Sequence, residues 1–286
     1  MNLSPLRYPG GKAKLAPWFI KLMRENHISG GRYIEPYAGG SGVALHLLIT
    51  GIVNHIHIND YDTGIYLFWK HVVEHPNDLV KLIQDTPVTI EEWHTQREVL
   101  KNPIDHSETE IAFSTFFLNR TNRSGIIKGG VIGGAGQTGK YKINARYNKN
   151  ELCQRILRIA SFRKFINITC LDSLCLLDEL ANHHDKRSLI YLDPPYYQKG
   201  QGLYLNAYTD EDHAAIAKKI KELNRPWVLT YDNHPRIKEL YQWTNEHQKD
   251  VRYSANQRRL EKELIFCGNL NFVDTRSTQE LQFTFQ

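Results

Sequence analysis

The chain has 286 residues, 41% of them hydrophobic and 23% charged, enough for one large α/β domain or a domain carrying an insertion. No apolar run reaches the length of a membrane span and the N-terminus lacks the apolar core of a signal peptide, so a cytoplasmic protein with no membrane partner is expected. The four cysteines, Cys153, Cys170, Cys175 and Cys267, form no Cys-x-x-Cys pair, which argues against a disulfide framework and structural zinc, and no metal-ligand cluster is evident, so no metal is expected.

Residues 33–37 read as a short strand, 38–42 as a tight glycine turn and 43–49 as the opening of a helix. Residues 56–60 read as a second strand ending on Asp60, which completes a βαβ unit. The glycine turn is too short for a P-loop and out of phase with Gly-x-Gly-x-x-Gly, so a pyrophosphate grip is disfavoured. A nucleoside-bearing cofactor such as S-adenosylmethionine fits better. Asp60 is placed to accept hydrogen bonds from two ribose hydroxyls, or to cap the helix that follows.

From about 65 to 118 the pattern is helical with no strand signal, which predicts a small helical subdomain. Residues 125–147 hold Gly129, Gly130, Gly133, Gly134, Gly136 and Gly139 among β-branched and basic residues, as in a hairpin or a mobile loop. Between 119 and 164 eleven basic residues, including Arg120, Arg123, Lys128, Lys140, Lys142 and Arg146, face one acid, Glu151. Such a stretch is a solvated basic face or a polyanion site; the Asn, Tyr and Gly residues within it favour a nucleic acid.

Beyond a helix at 152–162 the α/β rhythm returns. A strand at 165–170 leads to Asp172 and a helix to about 180, and a strand at 188–192 follows. A helix at 210–223, a strand at 227–231 and a short helix at 237–241 come next. Residues 250–253 and 264–267 read as two strands, expected to be antiparallel.

The strand at 188–192 runs into Asp193-Pro194-Pro195-Tyr196, at the end of the sheet where open α/β folds bind ligands. This tetrapeptide suits methylation of an exocyclic base amine. That nitrogen is a poor nucleophile because its lone pair is delocalised, and acceptors on its N–H groups favour the pyramidal, reactive form. Asp193 can supply one acceptor and the Pro194 carbonyl another, with both prolines holding the backbone rigid and Tyr196 stacking on the base. By itself the tetrapeptide also fits a plain strand-to-loop turn, and it does not separate adenine N6 from cytosine N4.

Arg7-Tyr8-Pro9-Gly10-Gly11-Lys12, the segment Glu35 to Gly42, Asp60, Asn119-Arg120-Thr121 and Asp193 to Tyr196 occur in this order. The chain thereby resembles the Dam-type, alpha-group DNA adenine-N6 methyltransferases over nearly its whole length. The resemblance implies an α/β fold: a Rossmann-like S-adenosylmethionine-dependent methyltransferase sheet with helices on both faces. It implies a discontinuous catalytic domain, 1–64 with 151–286, and a mainly helical target-recognition insert at 65–150. Tyr8, Pro9 and Lys12 would line the cofactor pocket, Glu35, Ala38 and Gly39 would flank its methionine, and Asp60 would hold its ribose. Asp172 would lie near its adenine, while Asp193, also bordering the cofactor, would hold a flipped base with Pro194, Pro195 and Tyr196. Double-stranded DNA is the expected partner, contacted by Asn119, Arg120, Asn122, Arg123, Lys128, Lys140, Lys142 and Arg146. Arg252-Tyr253-Ser254-Ala255 and Arg258-Arg259 resemble a segment at the active-site rim. The stretch after Thr121 is longer and richer in glycine than in the best-known members, so the recognition sequence is left open, as is the oligomeric state. A catalytically silent DNA-binding protein is the rival of a different class.

Overall fold

The computed structural model describes residues 3–8, 12–181, 187–198, 208–253 and 259–274, with 249–253 and 259–262 described as backbone only. Seven strands form one sheet: β1 (Arg32–Glu35), β2 (His55–Asn59), β3 (Ile166–Thr169), β4 (Ser188–Leu192), β5 (Trp227–Asp232), β6 (Glu246–Tyr253) and β7 (Arg259–Gly268). Their order is β3-β2-β1-β4-β5-β7-β6. Strands β1 to β5 are parallel, and β7 runs antiparallel to both β5 and β6. The chain thus builds outward from β1 in one direction and from β4 in the other. Between β1 and β4 lies the topological switch point, whose crevice opens at the strands' C-terminal ends.

β4 explains why residues 188–192 read as an unbroken apolar run. All five residues are buried. Leu189 and Tyr191 enter one hydrophobic cluster, while Ile190 and Leu192 enter the cluster on the opposite face. A strand covered on both sides has no polar face to alternate with. On the first face lie α1 (Ala16–Glu25), α2 (Gly42–Ile49), α3 (Thr63–Glu74), α4 (Pro76–Asp85), α5 (Ile90–Lys101), α6 (Glu108–Thr121) and α7 (Lys149–Ala160). On the second lie α8 (Ser173–Ala181), α9 (Asp210–Lys221) and α10 (Pro235–Leu240). The expected Rossmann-like sheet with helices on both faces is borne out.

The helices begin where side-chain oxygens replace missing backbone partners. Ser107 and Glu110 form a reciprocal capping box at α6, and Thr209 and Asp212 form another at α9. α6 is the centre of the helical layer, with Phe113, Phe116, Phe117 and Leu118 all buried. That layer shares its cluster with the sheet residues Tyr33, Ile56 and Leu189, so α3–α7 are cored together with one face of the sheet. The glycine-rich segment is not a hairpin. It forms turns and two short 3-10 helices, Arg123–Gly125 and Ile143–Arg146, with one isolated bridge between Asn122 and Val131. Among the described residues, no helix is long and apolar enough to cross a membrane.

Candidate active site

The crevice is framed by Asn59, the buried final residue of β2. Its amide nitrogen donates to the Pro36 carbonyl at 3.0 Å and to the Leu171 carbonyl at 2.9 Å. Its Oδ1 accepts from Leu171 N and Thr169 Oγ1, both at 2.8 Å. One amide therefore ties together the exits of β1, β2 and β3. The glycine turn is fixed just as closely, because Trp69 Nε1 of α3 donates to the Gly39 carbonyl at 2.9 Å. Gly39 has φ +45°, and a Cβ there would lie 2.7 Å from the Tyr8 ring, so only glycine lets Tyr8 pack over the turn.

Asp60 follows Asn59 and takes Gly39 N on Oδ2 at 2.8 Å and Asp62 N on Oδ1 at 3.0 Å. Each oxygen keeps capacity for a further donor. The helix cap is Asp62 instead, which accepts from Ile65 N at 3.1 Å. Burial, then the neighbouring Asp62 charge, raise the Asp60 carboxyl to about 7. Burial likewise pushes Glu35, at the end of β1, up to about 8, although the Ala44 N–H and the Ser41 hydroxyl favour its charged form. Tyr61, which sequence reading passed over, is 59% exposed beside Asp60.

Asp193 leaves the end of β4 across the crevice. Thr230 Oγ1 of β5 donates to its Oδ1 at 2.6 Å. Since that proton is committed, the Tyr191 hydroxyl, 2.9 Å from Thr230 Oγ1, is the donor in their contact. Lys12 Nζ lies 3.5 Å from the same Asp193 oxygen and 2.6 Å from Glu263 Oε1 on β7. Tyr196 Oη donates to that Glu263 oxygen at 2.5 Å and also contacts Lys12 Nζ. Among the described residues, the hydrogen bond and the ion pair to the Asp193 carboxylate both fall on Oδ1, and the side chain is 23% exposed. Burial raises Asp193 to about 6; Lys12 pulls it down and Glu263 pushes it up. Beyond Tyr196 the chain is pinned by Asp232 at the end of β5, whose two oxygens accept from Tyr197 N and Gln198 N at 3.0 Å each. Pro194 is buried and Pro195 partly so.

The family model for D12 class N6 adenine-specific DNA methyltransferases matches residues 8–255. The chain belongs to this family. The match decides for adenine N6 over cytosine N4 and bears out the expected activity. Type II methyltransferase M.MjaIII of Methanocaldococcus jannaschii is 25% identical over 251 residues, covering 79% of this chain and 82% of its own. Among solved structures, the RNA methyltransferase candidate PH1948 of Pyrococcus horikoshii aligns with 92% of this chain and 83% of its own, at 10% identity and TM-score 0.42. An S-adenosylmethionine-dependent methyltransferase from Agrobacterium tumefaciens aligns with 90% of this chain and 60% of its own, at 9% identity and TM-score 0.40.

Not every residue expected at the methyltransferase's surfaces is placed there. Asn119 and Asn122, expected on the DNA face, are both 0% exposed. Asn119 Oδ1 accepts from Arg7 N at 2.7 Å, and its Nδ2 donates to the Arg7 carbonyl at 2.7 Å and the Gly125 carbonyl at 2.9 Å. Asn122 accepts from Trp93 Nε1 at 2.6 Å and donates to the Ile126 and Ile127 carbonyls at 2.9 and 2.8 Å. These amides clasp the N-terminal motif and the glycine segment to α6; their hydrogen bonds are spent inside the protein. A Cβ on Gly125 would sit 2.2 Å from the Arg7 carbonyl oxygen, which shows how tight the clasp is. Asn122→Ala is expected to cost about 2 kcal/mol, because it strands a buried indole N–H and two carbonyls. A thermal melt matching the wild type would refute that assignment.

Arg120 is partly buried and donates to the Arg146 carbonyl through Nε at 2.7 Å. Burial, then the Arg7 and Arg155 charges, lower it to about 10. Arg123, Lys128, Lys140, Lys142 and Arg146 are exposed as expected. Arg123 and Lys140 line a concavity of about 440 Å³ together with Ile132, Thr138, Tyr141 and glycines 133, 134 and 139. Tyr141 is 57% exposed, with the Lys140 ammonium 5.9 Å and the Arg146 guanidinium 5.8 Å from its ring centre. Asp172 is exposed beyond β3, and its carboxylate accepts from Leu174 N at 2.8 Å at the start of α8. Pro9, Gly10, Gly11, Ser254, Ala255 and Arg258 lie outside the described residues.

Two residues of the Asp193 cluster escape sequence reading. Thr230 stands within an apolar strand and Glu263 ends the charged first half of β7, and they are 0% and 2% exposed. The acid directly before Leu264-Ile265-Phe266 is the one signal that could have drawn attention to β7.

Proposed function

We propose that the crevice between β1 and β4 binds S-adenosylmethionine beside an adenine flipped out of double-stranded DNA. When bound, this cofactor supplies an electrophilic methyl group on a positively charged sulfur. The residues present fit it. Asp60, pre-oriented by two backbone N–H groups, keeps acceptor capacity for adjacent ribose hydroxyls. Tyr61 offers an exposed ring next to that position. Glu35 puts a carboxyl group at the methionine end of the pocket, beside the turn of Ala38 and Gly39 over which Tyr8 packs. Asp172 borders the same end of the sheet, near the place assigned to the cofactor's adenine.

The observation that carries this reading is the asymmetry of Asp193. Its Oδ1 is held by Thr230 and Lys12, while among the described residues Oδ2 takes no hydrogen bond and keeps its acceptor capacity. Oδ2 would accept one N–H of adenine N6, turning the lone pair toward the methyl carbon and stabilising the positive charge on N6 as the N–C bond forms and the S–C bond breaks; the extra N6 proton then leaves to solvent. Pro194 and Pro195 keep that geometry rigid, and the Tyr196 ring stacks on the base. Rate comes from positioning and from the acceptor. We assign residues 65–150 to target recognition, with Arg123, Lys128, Lys140, Lys142 and Arg146 contacting phosphates and Arg120 supporting them through the Arg146 backbone.

Methylation-aware sequencing of DNA from cells expressing the chain tests the reading. N6-methyladenine confined to one short sequence is expected; N4-methylcytosine, or no modification, overturns it. If the five exposed cations meet phosphates, duplex affinity falls about 10²-fold or more between roughly 50 and 200 mM salt. Replacing Lys140 and Arg146 by alanine should flatten that dependence. An unchanged salt slope places the DNA elsewhere on the protein.

A further inference from the structure

We propose that Glu263 is a positioning residue for methyl transfer, holding the Lys12 ammonium and the Tyr196 hydroxyl together so that Asp193 stays an open acceptor beneath a fixed aromatic ring. The proposal rests on the function assigned above and adds a residue to its site. Lys12 Nζ is 2.6 Å from Glu263 but 3.5 Å from Asp193, so the close ion pair is with Glu263. A buried lysine left with a single carboxylate draws closer to it, because the ion pair offsets the cost of desolvating the ammonium. Without Glu263, Lys12 would close on Asp193 and draw off the negative charge the amine needs. With Glu263 present, two carboxylates share one ammonium, and the ionised cluster carries a net charge of about −1 to meet the positive charge gained by N6.

The same Glu263 oxygen accepts the Tyr196 hydroxyl at 2.5 Å, which fixes the far end of the ring. In the β5–β7 ladder Glu263 stands opposite Asp232, the residue pinning Tyr197 N and Gln198 N. Adjacent positions on two strands thus hold the last residue of the tetrapeptide through its side chain and the two residues after it through their backbone. The groups acting on Asp193 are Lys12 before α1, Thr230 of β5 and Glu263 of β7. Tyr191 of β4 reaches it through Thr230, and Glu35 of β1 acts across the crevice. Of these, Glu263 raises the Asp193 carboxyl and Lys12 lowers it.

Both effects of Glu263→Gln therefore act in one direction. The upward push is lost and Lys12 pairs more closely, so Asp193 deprotonates at lower pH. Using unmethylated genomic DNA as substrate, kcat near pH 8 should fall on the order of 10²-fold. The acid limb of the pH profile should move downward, while calorimetric affinity for S-adenosylmethionine stays within about threefold. Glu263→Asp keeps the charge and should leave the limb near its wild-type position. A purely structural role would reduce active protein without moving the limb. Should Glu263→Gln fail to fold, Tyr196→Phe keeps the ring but removes its tether, and kcat should fall about tenfold. Wild-type kcat and an unmoved limb in a folded Glu263→Gln protein, or wild-type kcat in Tyr196→Phe, overturn the proposal. A wild-type protein that methylates no DNA overturns the underlying reading as well.

Discussion

Asp193→Ala is expected to lower methyl incorporation into DNA on the order of 10³-fold while calorimetric affinity for S-adenosylmethionine stays within about threefold. The size follows from what is lost. Asp193 Oδ2 is the acceptor assigned to the amine, and it acts on charge that appears only in the transition state, so its removal falls on kcat. The fold should tolerate the change. Lys12 keeps its 2.6 Å pair with Glu263, and Thr230 keeps its contact with Tyr191. Asp193→Asn retains the shape and loses the charge, and it should recover little of the rate. Methylation by the alanine variant at the wild-type rate would remove Asp193 from the mechanism.

Asp60→Ala is expected to weaken cofactor binding by about 10²-fold or more, with a smaller loss in kcat at saturating cofactor. Two carboxylate-to-hydroxyl hydrogen bonds are worth about that much. The substitution also frees Gly39 N and Asp62 N, which fix the glycine turn and the entry to α3. Because burial holds Asp60 at about 7 in the ligand-free protein, cofactor affinity should strengthen as pH rises through 7. The charged carboxylate is the better acceptor, so binding favours its deprotonated form. That pH dependence should be reduced in Asp60→Ala. An unchanged affinity in the variant, measured by calorimetry, would remove the ribose assignment.

Much of this was legible in the sequence because the informative residues are local. The apolar run at 188–192 followed by an acid and two prolines marks both a buried strand and the site at its end. Asp60 is legible for the same reason, after β2, two strands along the sheet from β4 and beyond β1. The antiparallel pair at the C-terminal side was legible in its existence, though β6 and β7 extend further than their apolar stretches suggest. What was illegible depends on partners distant in the chain. Asn119 and Asn122 carry the side-chain type that contacts nucleic acid, yet the approach of Arg7 and Trp93 turns both amides inward. Glu263 looks like an ordinary strand acid until β7 is placed beside β5. The glycines after Thr121 signal tight backbone but do not say that turns replace a hairpin.

Lys12 and Glu263 meet across 251 positions of the chain. Such a contact forms late, since the intervening loop must be closed before it contributes anything. On a translating ribosome, residues 12, 193 and 196 emerge well ahead of β7, and until then Lys12 has Asp193 as its carboxylate. The cluster around Asp193 is therefore completed only when β7 docks against β5, bringing β6 with it as the edge of the sheet.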